Sequence, residues 1–548
     1  MTVLAAIEDR DETIPNFTSD SVHLAALISR IQDVLSELGI YNGPSDGQMS
    51  PATERAIRIY EGQVDLAISG RATRELLDHL ETVGRANQLL VRLDQARDRS
   101  QETARNVLLT SAVAKRLKTD EAASANPLRD PKACFAQPTP SCLLEEGFES
   151  SKTIADTKFR DWALGDVAVA RAIAGLTEEV YRTVGLIDDP RLVVAALRDS
   201  AIAWAENGKT DQARELIAGM PEPMFAAEIL AAIATAKASD GDATGAGFVL
   251  GELLAIANSQ HEPAATVALL SSLAPKLHAA GAPDAGSQVL QVALDTAQDA
   301  ALTQTERNHA VGKIAAVHAY LGQTEQARRL MVQIDDEALR RPVLLALAEY
   351  SAREGSSPNT SADAAKVADS RYRVVALTHV AIAQARVGNL DGAKSSLAAA
   401  RADAAQIDKR FPYAKAFAVS RIATALAEMR GYEDAAATAT KIEDGGLRAQ
   451  TLWHLASVQA RNGSTESAHT RSLAWKATET IRSDLDRSWT LSRLALSSAE
   501  RGESSLAEET FAAALAVAAE IQNGFARATA LSKLATTLVR LEAHSEGR

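Results

Sequence analysis

Two residue sets in this chain are placed to do chemistry, and neither is a catalytic constellation. The first is a pair of thiols. Cys134 and Cys142 are the only cysteines, and Gln137-Pro138-Thr139-Pro140 lies between them. The spacing C-x7-C fits no common zinc pattern, and no second Cys or His pair stands nearby. Two cysteines this close together in so long a chain read as a small-loop disulfide, which needs an oxidising compartment. Two unrelated buried thiols are the alternative. The second set is a row of cations: Arg160, Arg307, Arg340, Arg373, Lys415, Arg448 and Arg487, with Arg527 at the start of the last helical segment. A cation at a helix N-terminus opposes the helix dipole, so it needs a reason. Acidic residues often close the preceding segment, at Asp156, Asp335-Asp336, Asp369, Glu443-Asp444 and Asp484 to Asp486. One reading is a ladder of ion pairs between consecutive helices. The other is a basic stripe that grips an acidic partner.

Known reaction motifs are missing. His261-Glu262 runs into Pro263-Ala264-Ala265 and not to a second His, so the zinc-protease pattern fails. Neither a phosphate-binding G-x-x-x-x-G-K-[ST] loop nor a G-x-S-x-G elbow occurs. His318 shares a repeat position with Trp204 and reads as a packed interface residue. Trp453, Trp475 and Trp489 also fall on helical faces and read as core. The chain is therefore expected to be non-enzymatic, with no cofactor and no metal.

The elements that carry the cations repeat. Turn residues recur at Gly175, Gly208, Gly241, Gly281, Gly322, Gly355, Gly388, Arg430 (with Gly431 beside it), Gly463 and Gly502. Each cation of the row stands 15 residues before one of them. The row is missing in the units turning at Gly208, Gly241 and Gly281, which confines a basic stripe to the C-terminal half. Large aliphatics precede the turn by 11 and 8 residues, as in Leu377 and Val380, and Ala precedes it by 7, as in Ala381. These offsets trace one face of a helix. A small residue recurs 5 positions after the turn, as in Ala393, and lets a second helix approach closely. Each unit is thus a helix-turn-helix hairpin that must stack on its neighbours to bury its apolar face.

This set of offsets resembles the tetratricopeptide repeat, with Leu491, Leu494-Ala495, Gly502 and Ala507 as a second clear match. The family's first-position Trp is replaced by aliphatics and its closing Pro is mostly absent. Several units have a longer second helix. The resemblance implies a scaffold that presents a groove to protein or peptide partners. The last unit, from Phe525, holds one amphipathic helix and reads as a cap on the array.

Residues 21–81 form a separate unit. A helix over about Val22 to Leu38 ends at Gly39, and Asn42-Gly43-Pro44 with Ser45-Asp46-Gly47 makes a tight loop. Ser50 caps a second helix that has Pro51 at its first position and Ala52, Ala56, Ile59 and Tyr60 on one face. Gly70 precedes a short third helix through Leu80. The order Leu35, Leu38-Gly39-Ile40-Tyr41, Gly43 to Gly47, Thr53, Ala56, Leu66, Gly70, Thr73 and Leu76-Leu77 resembles the three-helix peptidoglycan-binding domain of bacterial wall hydrolases. The family's second turn Gly is Ser50 here, and its Phe-Gln pair is Tyr60-Glu61. The resemblance implies peptidoglycan contact through loop side chains, for which Tyr41, Asn42, Ser45, Asp46 and Gln48 are the candidates.

The bulk properties agree with a helical binding protein. At 548 residues the chain exceeds one compact core, and aromatics are 4% against 46% apolar residues. A formal net charge of −13 argues against nucleic-acid binding. No run is long and apolar enough for a membrane span. Val3 to Ile7 is too short for an export signal, which points to the cytoplasm, whereas the Cys pair points to the periplasm or cell envelope. The expected fold is all-α: a disordered lead over 1–20, the small three-helix domain over 21–81, connecting helices over 82–118, a Pro-rich linker with the Cys loop over 119–141, a long α-solenoid of helix-turn-helix repeats over 142–540, and a tail over 541–548. The leading functional expectation is a cell-envelope adaptor. A cytoplasmic scaffold without glycan binding and an envelope-metabolism enzyme with an unrecognised site are the alternatives.

Overall fold

A computed structural model describes residues 17–546, apart from 65, 112, 119–121, 127, 260–261, 300 and 355–359. Most of the expected lead, parts of the Pro-rich linker, His261, the turn residue Gly355 and the last two residues of the tail thus lie outside the described residues. The described residues are helical throughout, without a strand. They divide into two compact units, 1–102 and 103–548.

In the first unit, helices Phe17–Glu37, Pro51–Gln63 and the start of Arg74–Thr110 enclose a small core. Ile31, Val34, Leu35, Ile57, Tyr60, Leu76, Leu77 and Leu80 supply it. The Ser50 hydroxyl accepts from the Thr53 amide at 3.1 Å and so caps the second helix. The buried face of that helix runs Thr53, Ala56, Ile57, Tyr60. Ile59, expected on this face, is 45% exposed. One residue of rotation is 100°, enough to move a side chain from core to solvent. The third helix also departs from expectation. It does not stop at Leu80 but continues to Thr110, because no Gly or Pro follows that breaks it. The expected boundary at 81 and 82 therefore falls inside a helix.

The second unit is built from hairpins. First helices of 17 residues recur as Thr157–Ile173, Pro190–Glu206, Pro223–Ser239, Pro263–Ala279, Gln304–Tyr320, Ser370–Arg386, Pro412–Glu428, Gly445–Arg461 and Asp484–Glu500, with Glu337–Glu354 one residue longer. Second helices fall into a short class of 6 or 8 residues and a long class of 13 to 17. Thr210–Ile217, Thr324–Met331 and Tyr432–Ala439 have 8 residues, whereas Ala243–Ser259, Leu390–Gln406 and Ser504–Glu520 have 17. That difference of over two turns is the origin of the two repeat lengths in the sequence. The described turn glycines have φ between 69 and 82°, and Arg430 takes the same left-handed place at 63°. Its neighbour Gly431 has φ −83°, so the glycine there does not supply the turn.

The row of hairpins closes on itself. Each first helix packs on the next, from Thr157–Ile173 round to Gly524–Glu546, and Gly524–Glu546 packs back on Thr157–Ile173. Pro140–Lys152 packs on Gly524–Glu546 as a second helix does on its first, so the closing hairpin joins the two ends of the row. Leu143 and Leu144 enter one cluster with Leu491, Phe511, Leu531 and Leu534. A Cβ on Gly147 would stand 3.5 Å from the Ala528 carbonyl oxygen, so the backbones meet closely. Glu145 pairs with Arg171 and Arg182, both at 2.6 Å, and ties the same helix to the next hairpin. The expectation of a cap fails here. A cap needs a polar outer face, but Ala528, Ala530, Leu531, Leu534 and Ala535 have no exposed surface. Second helices pack on first helices and make no comparable contact with one another. The helices that touch all round form the inner circle, since the inner circumference is the shorter.

Candidate functional site

In the first unit the candidate loop is organised from below by Gln32, a fully buried amide. Its Oε1 accepts from the Gly47 amide at 2.9 Å. Its Nε2 donates to the Gln48 carbonyl and the Thr53 hydroxyl, both at 3.0 Å, and lies 3.2 Å from Asp46 Oδ1. A buried amide satisfied on both ends fixes a loop more firmly than the turn residues alone. Asn42, Ser45, Asp46 and Gln48 are exposed on it. Tyr41 is not. It is 4% exposed, and its hydroxyl donates to the Pro44 carbonyl at 3.1 Å, so it supports the loop and presents nothing to a ligand. Asp46 is held below the usual carboxylate range by the Gln48 amide and then by Gln32. It therefore stays an ionised acceptor at neutral pH.

A second loop, around Gly70, is organised by Glu61. Its carboxylate accepts from the Ser69 amide and hydroxyl, both at 2.7 Å, and from the Gly70 amide at 2.8 Å. Burial raises its pKa, but these donors outweigh burial and hold it low. Gln32 carries no motif that marks it in the sequence. Glu61 stood out only as a departure from the family pair.

In the second unit Cys134 and Cys142 are joined by a disulfide. Cys142 lies in the first turn of Pro140–Lys152, and Cys134 in the short helix Lys132–Ala136. Phe135 beside it lies under the Arg527 guanidinium, 5.4 Å from ring centre to Cζ. The bridge thus sits at the joint where the row of hairpins closes.

The cation row mostly serves backbone carbonyls. Arg307 donates to the carbonyls of Gln298, Asp299 and Leu302, and Arg340 to that of Ile334. Arg448 donates to the Ile442 carbonyl at 2.7 Å, and Arg527 to those of Ala519 and Ile521. Arg373 does both jobs: it donates to the Val367 and Ala368 carbonyls and forks onto Asp403 at 2.6 and 2.7 Å. Arg160 meets Asp188 and Arg487 meets Asp484. The guanidiniums of Arg307, Arg340, Arg373, Arg448 and Arg527 lie near the N-terminus of their own helix but at the carbonyl end of the segment before it, where a cation is favourable. The Lys415 side chain has no such partner among the described residues.

A different repeat position faces the interior of the circle. Nine residues before the turns at Gly175, Gly208, Gly388, Arg430, Gly463 and Gly502 stand Asp166, Asp199, His379, Arg421, His454 and Arg493, with Lys533 on the last helix; the turns between have Ala232, Ser272, Lys313 and Ala346 there. Asp166 is pushed up by burial and then by Asp199. Lys533 is pushed down by burial and then by Arg540 and Arg493. Arg421 donates to His379 Nε2. Burial and the adjacent Arg421 push the His379 imidazole down to about 3. Glu349 acts on Arg421 although a whole hairpin separates their helices, as expected only on a concave side. At this position helices 157–173 and 190–206 carry carboxylates, and the helices over 370–546 carry Arg, Lys or His. Trp489, expected in the core, is 38% exposed on this face. Trp453 is buried and donates to Thr478 at 3.2 Å, and Trp204 is fully buried. His318 is half-buried beside Gln323.

Residues 25–80 match the family described as "Putative peptidoglycan binding domain". The chain therefore carries a peptidoglycan-binding-type domain followed by helical repeats. No curated protein matches it. Among solved structures, the crystal structure of Ton1535 from Thermococcus onnurineus NA1 is 20% identical, with a TM-score of 0.26, over 60% of this chain and 98% of that one. A circular tandem repeat protein with novel repeat topology and enhanced subunit contact surfaces is 13% identical, with a TM-score of 0.13, over 96% and 99%. Among the described residues no helix is long and apolar enough to cross a membrane, and no cluster of His, Cys, Asp or Glu is set to hold a metal.

Proposed function

We propose that the protein is a non-enzymatic adaptor of the bacterial cell envelope, anchored to peptidoglycan by its first unit. The observation that carries this reading is the loop built on Gln32, which exposes Asn42, Ser45, Asp46 and Gln48 within a domain of the peptidoglycan-binding family. The tetratricopeptide-like hairpins supply a scaffold for protein or peptide partners. The disulfide supports an oxidising compartment such as the periplasm.

Sedimentation with insoluble peptidoglycan tests the anchor. The full chain and a fragment of residues 1–102 should pellet, with modest affinity, because so small a domain offers few anchoring groups. A fragment of residues 103–548 should stay in the supernatant, since a cross-linked polymer does not reach an inner face. Gln32→Leu should abolish pelleting by collapsing the loop, while Asn42→Ala should weaken it without loss of fold. Retention of 1–102 in the supernatant, or binding that vanishes at moderate salt, would defeat the reading.

A further inference from the structure

The inner face of the closed row carries a groove between helices Gly445–Arg461 and Asp484–Glu500. A cavity of about 740 Å³ at its mouth and one of about 230 Å³ deeper in share Gln450, Thr490 and Arg493, so they form one path. Tyr413 and Trp489 stand at the mouth, 64% and 38% exposed. The acids Glu443, Asp444 and Asp486 and the cations Arg448 and Arg482 lie beside them, Gln450 and Arg493 follow, and His454 lines the second cavity. The volume is in the range of small-molecule sites.

The side chains here differ from those around them in one respect. Arg448 and Arg487, close by, are engaged with the Ile442 carbonyl, Thr480 and Asp484. Arg493, His454, Gln450 and the Asp486 carboxylate make no side-chain hydrogen bond or ion pair among the described residues. Exposed aromatic faces, an amide, a carboxylate, an imidazole and the Arg493 guanidinium, with open hydrogen-bonding capacity, therefore converge in one concavity. Flat aromatic faces suit the apolar faces of sugar rings. The amide and carboxylate suit hydroxyl and acetamido groups, and Arg493 suits a carboxylate, which it can bind through two parallel N–H donors. A purely apolar ligand would leave these groups unpaired. A polyacidic peptide would meet Glu443, Asp444 and Asp486 at the mouth.

We propose that this groove is a binding site for a small anionic saccharide, a sugar of one or two rings bearing a carboxylate. The choice of a soluble wall fragment as its probe rests on the envelope reading above; the site itself rests on the groove. The five tryptophans all lie at or beyond Trp162, so none belongs to the first unit. Tryptophan fluorescence of the full chain therefore reports on the second unit alone.

The experiment is a titration of the full chain with a soluble disaccharide bearing a peptide stem. A saturable fluorescence change is expected. Trp489→Phe should remove most of it, and Arg493→Gln should weaken binding about tenfold or more, with thermal melts confirming that both variants fold. A neutral chitin disaccharide should bind about tenfold more weakly than the anionic probe. Failure of both saccharides to produce a saturable change overturns the proposal. So does an equal response to an acidic peptide without sugar, which would make the groove a peptide site. Loss of pelleting by residues 1–102 with the fluorescence response intact would sink the wall anchor and leave this site standing.

Discussion

Leu531→Ala tests whether the row of hairpins is closed in solution. Leu531 has no exposed surface and packs in one cluster with Leu143 and Leu144 of helix Pro140–Lys152 and with Leu491 and Phe511. The substitution removes three carbon atoms, about 2.4 kcal/mol of transfer free energy at about 0.8 kcal/mol per carbon. Backbones held as close as Gly147 and Ala528 leave little room to collapse into the gap, so a cavity term raises the cost to about 3 kcal/mol. Concentrated on one joint, that is roughly a hundredfold in the local opening equilibrium. Native-state hydrogen exchange read by mass spectrometry resolves it peptide by peptide. Protection should fall together in residues 140–152 and 524–546, at opposite ends of the unit's sequence, with far smaller changes in helices 304–320 and 337–354. Loss confined to 524–546 would mean that the helix is a terminal cap and that the closure argued here is wrong.

Other outcomes follow from the same contacts. Arg373→Ala should cost about 2 kcal/mol in a denaturation melt, because it leaves Asp403 largely buried without its fork and two carbonyls without a donor, whereas Lys415→Ala should cost less than about 0.5 kcal/mol; equal costs would refute the distinction. Arg430→Gly should stabilise the protein by up to about 1 kcal/mol, since glycine takes the left-handed conformation at φ 63° without a Cβ penalty; a loss of stability would show that the Arg430 side chain has an unrecognised role. His379 is neutral in the folded protein down to about pH 3, while an unfolded imidazole protonates near its ordinary 6.5. The unfolded state thus binds the extra proton between those values, so its contribution to stability is complete above about 6.5 and falls as pH drops toward 3. The slope is at most about 1.4 kcal/mol per pH unit. His379→Gln should flatten the melting temperature over pH 4–6, and an unchanged slope would count against it. Differential alkylation of protein taken from its native compartment should find Cys134 and Cys142 joined; two freely alkylated thiols would remove the argument for export.

What the sequence made legible were features enforced locally. Turn residues such as Gly388 and Gly502 declare themselves because few side chains tolerate their backbone, and the Leu377, Val380, Ala381 spacing declares a helix face. Even Arg430 was placed correctly by register, against the pull of Gly431. The first unit was recognised from its turns, although its second helix was read one residue out at Ile59 and its third was cut short at Leu80. The closure was not legible, because a periodic pattern says that neighbours stack and is silent on whether the first and last are neighbours. The cation row was noticed because it breaks the dipole rule, but its partners are mainly carbonyls, and a carbonyl leaves no trace in a sequence. The inner-face residues Arg421, His454 and Arg493 lay in the same frame, 6 positions further on. Their charges alternate with acids and small residues elsewhere in the array, so no single residue type flagged the position. Trp489 was assigned to the core from its helical spacing alone.

The joint between Gly524–Glu546 and Pro140–Lys152 also bears on biosynthesis. As the ribosome releases the chain, each hairpin finds its predecessor at once, since their contacts are local. The closing contact spans nearly the whole second unit and waits until the last helix emerges. Until then the nascent protein exposes Leu143 and Leu144 at one end and the unpaired face of the latest hairpin at the other, both of them sticky surfaces for chaperones or proteases. A chain broken off before residue 524 keeps those surfaces exposed for good. Emergence of helix 524–546 is thereby converted into burial of a hydrophobic mark, and quality control has a means of telling closed rows from open ones.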